Sequence, residues 1–118
     1  MTNKEIIVAI NNINEFAGAE REAKTSKLPL SSELIVMENL NMLMEAYKPY
    51  MLTLNNINAK YTEDDLKNLN MAIKKNEEIA ELQNTDRKDV KIKKKIKKSD
   101  FKEGTLLSDI MLLDFMEK

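Results

Sequence analysis

The chain has neither histidine nor cysteine among its 118 residues, and only two glycines, Gly18 and Gly104. Without histidine it lacks the commonest general base and the commonest transition-metal ligand. Without cysteine there is no disulfide framework and no thiolate chemistry. Two isolated glycines leave no material for a phosphate-cradling loop. No run approaches eighteen consecutive apolar residues, and the first residues show no basic stretch followed by an apolar one. These absences predict a soluble, intracellular, non-enzymatic protein with no cofactor, no metal site and no membrane partner.

Apolar residues make up 42% and charged residues 33%, a balance that suits one soluble domain over 1–118. Lys, Ile and Asn are abundant, with 13 Asn; their A/T-rich codons point to an A/T-rich genome or its phages. Helical spacing dominates the pattern. Ile6, Ile10, Ile13 and Ala17 predict an amphipathic helix over 3–18, capped by Thr2 or Asn3. The polar stretch "AEREAKTSKLPL", residues 19–30, predicts a connection with some helix at its start and an extended Leu28 before Pro29.

A four-three alternation then runs through Val36, Leu40, Leu43, Tyr47, Tyr50, Leu54, Ile57 and Tyr61. Its phase survives Pro49, which predicts one long helix over 32–60, kinked near 45–49 and capped by Ser31 or Ser32. Two helices joined at Lys48-Pro49 are the alternative. Thr62-Glu63-Asp64-Asp65 forms a capping box for a third helix over 63–82, striped by Leu66, Leu69, Ile73 and Ala80 and flanked by Ile79 and Leu82. In "DVKIKKKIKK" the period falls to two, with Val90, Ile92 and Ile96 opposite Lys91, Lys93, Lys95 and Lys97. That predicts a half-buried β-strand over 88–96. It must pair with a short piece such as 27–30, with a second copy or with a partner, or else lie as a tether without a ladder. A last helix is expected over 106–116, capped by Thr105 or Ser108. The expected fold is mainly α: a helical hairpin or three-helix core with a long kinked helix, a late Lys-rich strand and a short C-terminal helix.

Several pieces together resemble a family of small phage and prophage accessory proteins from phages of low-GC Gram-positive bacteria. They are "VAINNINEF", "LPLSSELIVMENLNMLMEAYKPYMLTLNNINAKY", "NEEIAEL", "DVKIKKKIKKSDF" and "LLSDIMLLDFM". The resemblance implies a phage setting, hence the cytoplasm of a bacterial host or the virion, and carries over no site residue.

Two candidate surfaces emerge. Met37, Met44 and Met51 recur every seven residues beside Tyr47 and Tyr50, and adaptable Met with amphipathic Tyr suits either a core or a protein-binding face. A homodimer through that face is one expectation. The second candidate is the basic patch Lys91, Lys93, Lys95 and Lys97. Between Arg87 and Lys98 lie eight basic residues and one acid, while the rest of the chain has 11 basic and 19 acidic residues. A solvated edge that resists aggregation, an acidic protein surface and nucleic acid are its possible explanations. Nucleic acid is disfavoured, because no aromatic residue stands among the lysines to stack a base. The acidic clusters Glu63-Asp64-Asp65 and Glu77-Glu78-Glu81 are too sparse in ligands for a metal site. Function is therefore expected to be protein–protein binding, such as inhibition of a host defence protein, with virion assembly as an oligomer as the alternative.

Overall fold

The computed structural model describes all 118 residues and is mainly helical. Helix α1 spans Asn3–Ala23. Thr2 caps it with a reciprocal box: its Oγ1 accepts from the Glu5 N–H at 3.1 Å, and Glu5 Oε1 accepts from the Thr2 N–H at 2.9 Å. The helix runs beyond the expected residue 18, because Ala19–Ala23 are mostly strong helix formers and one interior glycine costs only about 1 kcal/mol. Lys24 ends it in the left-handed region at φ 54, and the Thr25 N–H reaches back to the Glu20 carbonyl at 3.2 Å.

Helix α2, Leu30–Ala59, runs unbroken through Pro49, so the single-helix expectation stands over the two-helix one. Its 30 residues make a spine of about 45 Å along a molecule of 55 × 30 × 18 Å. The cap differs from expectation. Pro29 precedes the first turn, and Ser32 is buried with its hydroxyl donating to Asp100 Oδ2 at 3.3 Å. Helix α1 packs antiparallel on the first half of α2, joining Ile6, Ala9, Ile13 and Phe16 to Val36, Leu40 and Leu43 in one core.

The expected third helix is two. Helix α3, Glu63–Leu66, lasts barely one turn behind its Thr62 box. Asn68 then restarts the chain as the cap of α4, Leu69–Asn84, its Oδ1 accepting from the Asn70 N–H at 2.9 Å. Asparagine competes well for backbone donors in such a cap conformation, which explains the break. Only the flank of the predicted stripe is covered: Leu66, Leu69, Ile73 and Ala80 are exposed, whereas the expected flanking Ile79 and Leu82, with Met71, are half-buried on a helix that packs on α2 and α1.

There is no β-strand at 88–96, contrary to expectation. The segment is an extended strap laid across α1 and α2, and its period of two is still present. Val90 and Ile96 are buried and Ile92 half-buried, whereas Lys91, Lys93, Lys95 and Lys97 are exposed. One-sided burial produces that alternation without any ladder. The strap is held by single bridges instead, the Ile96 N–H donating to the Met116 carbonyl and the Lys118 N–H to the Ile96 carbonyl, each at 2.9 Å. The C-terminal helix is likewise shorter than expected. Helix α5 covers Leu107–Met111 without a side-chain cap, and a separate 3₁₀ turn follows at Asp114–Met116. Leu113 and Met116 supply its buried residues, while Leu106 stays in solvent.

Candidate functional site

The Met/Tyr cluster divides between core and surface. Tyr50 is buried and Tyr47 half-buried against the core, their rings 5.7 Å apart. Both therefore belong to the packing of α2. Met37 and Met44 face outward, 47% and 50% exposed, and Met51 is half-buried. Sequence reasoning missed their neighbours. Leu30, Leu34 and Leu52 are 87%, 60% and 66% exposed on the same outer face of α2. The signal was present in the spacing 30, 34, 37, 44, 52, but the stronger inner stripe concealed it. At the start of this face, Leu30, Ser31, Glu33, Leu34 and Met37 line an open groove of about 580 Å³.

Glu33 sits where this groove meets the C-terminal end of α1. Its carboxyl is pushed up to about 8, first by burial and then by the hydrogen bond and negative charge of Glu20; the Leu28 N–H and Lys102 pull the other way. Glu33 Oε1 is buried with no donor in reach. A proton retained between the two carboxyls resolves this, since two carboxylates cannot bond to each other without one. Glu20 also accepts from the Lys27 N–H at 2.8 Å, so the pair fastens the α1–α2 connection.

The basic patch lies on the strap. Of the eight basic residues from Arg87 to Lys98, two are engaged inside the molecule. Arg87 donates to Asn3 Oδ1 and to the Ala46 carbonyl, and Lys94 forms an ion pair with Glu38. Lys88, Lys91, Lys93, Lys95, Lys97 and Lys98 are exposed and make no ion pair. A cleft of about 300 Å³ separates this row from α2, with Glu38, Asp89, Lys91 and Lys93 on its walls. Its mixed charge makes it a poor cradle for a small anion, so any acidic partner must meet the row from outside.

The carboxylate clusters are used structurally. Asp65 Oδ2 accepts from the Thr62 N–H at 2.9 Å in the α3 cap. Glu78 accepts from Lys60 at 3.1 Å and from the Tyr61 hydroxyl at 2.9 Å, bonds that hold its carboxyl below the usual range. No three Asp or Glu side chains converge as metal ligands. No helix is long and apolar enough to cross a membrane. Compared with known proteins, the chain matches no family model, no curated protein and no solved structure.

Proposed function

We propose that this is a non-enzymatic phage or mobile-element protein that binds a host protein, such as a defence protein, and inhibits it by occupying its surface. The observation that carries this reading is the row of six unpaired lysines on the strap. Lysines that blunt a sheet edge need an edge to protect, and the strap is not a strand. An acidic protein surface is then the better match, since Lys offers point charges without the planar fork or stacking ring that reads nucleic acid. The phage setting rests on the sequence resemblance. The decisive experiment is affinity capture from host lysate with and without nuclease, comparing the wild type with a variant carrying Lys91, Lys93, Lys95 and Lys97 all as Gln. A nuclease-resistant partner lost from the variant supports the reading. Capture that nuclease abolishes, or that the variant retains, refutes it.

The exposed apolar face of α2 favours a second reading, a virion-assembly or structural accessory protein that works as an oligomer. Five large apolar side chains along one helix exceed what scattered surface residues account for.

A further inference from the structure

The outer face of α2 is arranged almost symmetrically about its middle. Leu30, Leu34 and Met37 lie on one side of Asn41, and Met44, Lys48 and Leu52 on the other. All are exposed, and their three- and four-residue spacings keep them on one face. We infer that a second copy of the chain docks here with the two α2 helices antiparallel and the dyad at Asn41. This rests on the oligomer reading and is independent of the lysine row.

In that register Leu30 meets the partner's Leu52, and Met37 packs beside the partner's Met44. Leu34 receives the aliphatic stem of the partner's Lys48, whose ammonium stays with Glu45 of its own helix, a pair 2.8 Å apart in the single chain. Each of these contacts occurs twice by symmetry. A parallel pair would instead set Lys48 against Lys48 and Glu45 against Glu45, so charge selects the antiparallel arrangement. The Asn41 amides meet at the dyad, where each can donate to and accept from the other; one polar residue in an apolar seam is an effective register mark. The strip from Leu30 to Leu52 is about 33 Å long and roughly one helix diameter, ~10 Å, wide. That is small beside the roughly 800 Å² per partner of a stable interface, so the dimer dissociates in the micromolar range.

Because the chain contains no cysteine, single cysteines can test this register without background. Sedimentation of the wild type should show a monomer–dimer equilibrium, weakened about tenfold by Met37→Lys. Under mild oxidation Asn41→Cys should cross-link to itself. Leu34→Cys should not, because the two copies of position 34 lie about 20 Å apart, but it should cross-link to Lys48→Cys in a mixture. A strict monomer at high micromolar concentration overturns both the dimer and the oligomer reading. A dimer in which Leu34→Cys cross-links to itself, or Asn41→Cys does not, overturns this interface and leaves the oligomer reading standing. Circular dichroism of each variant confirms that an exposed substitution has left the helices intact.

Discussion

The Arg87 guanidinium donates from Nη1 to the Ala46 carbonyl oxygen at 2.8 Å. Pro49 leaves the Glu45 carbonyl, four residues back, without its helical donor, and Ala46 is the next carbonyl along α2. Arg87 adds a donor from the strap beside that gap. The same nitrogen donates to Asn3 Oδ1 at 3.1 Å, and the Arg87 N–H donates to the Met1 carbonyl at 2.7 Å. One side chain thus joins the start of α1, the middle of α2 and the strap.

Arg87→Met keeps much of the aliphatic stem and removes the donors. It should lower unfolding free energy by about 1.5–3 kcal/mol in chemical denaturation, the range for hydrogen bonds made by a charged group. Pro49→Ala should be neutral or stabilising, because α2 is already helical across it and regains a backbone bond. A loss above ~2 kcal/mol for Pro49→Ala would instead mean that the proline fixes a bend the fold requires.

The Glu20–Glu33 pair makes stability depend on pH in an unusual direction. The Glu33 carboxyl is raised from 4.5 to about 8, so between those values the folded chain holds a proton that the unfolded chain has released. Its stabilising contribution is complete below the unfolded value and is lost as pH rises through the folded one. The melting temperature should therefore fall between about pH 4.5 and pH 8 and level off above, and Glu33→Gln should flatten that fall. The chain has no histidine to confuse the window. Equal slopes for the two proteins would show that no proton is shared.

Much of this architecture was legible. The inner stripe of α2 was plain because Val36, Leu40, Leu43, Tyr50 and Ile57 meet neighbouring elements along the whole spine, and burial follows spacing there. At α4 the same logic failed. That helix lies at the periphery, so Leu69 and Ile73 keep a helical spacing with nothing to cover them. The strap shows a different limit. Alternation reports which side chains are buried, and it is silent on whether the backbone pairs; Val90 and Ile96 are buried on helices rather than under a sheet. The candidate surface was half legible for a related reason. Met44 and Tyr47 are neighbours on one helix, and only the direction of the core decides that one faces solvent and the other packs inward.

Asn39 is the polar fastener of the strap. It is buried on α2 and donates from Nδ2 to the Lys94 carbonyl at 3.0 Å and to Met116 Sδ at 3.6 Å. Asn39→Ala should cost about 1–3 kcal/mol, since it strands a carbonyl in a poorly solvated place. Hydrogen exchange should locate the loss: amides such as Ile96 and Lys118, which bridge the strap to the C-terminus, should exchange faster while α1 keeps its protection. Uniform acceleration across all helices would show that the strap and the helices unfold together.

Replacing Lys91, Lys93, Lys95 and Lys97 with Gln should leave the fold intact, because all four point away from buried Val90 and Ile96. The variant then isolates what the charges do. A stripe of four cations working against phosphates should give a log–log salt slope near −3 to −4 on duplex DNA, and about −3 on single strands. The expected outcome is weak, sequence-independent binding at physiological salt, since neither a stacking ring nor an arginine fork faces outward from the row and Arg87 is occupied internally. A protein partner should instead survive nuclease and lose affinity in the Gln variant. Sub-micromolar affinity for DNA or RNA at ~150 mM salt, abolished by the same four substitutions, would reverse the order and make nucleic acid the natural ligand of the strap.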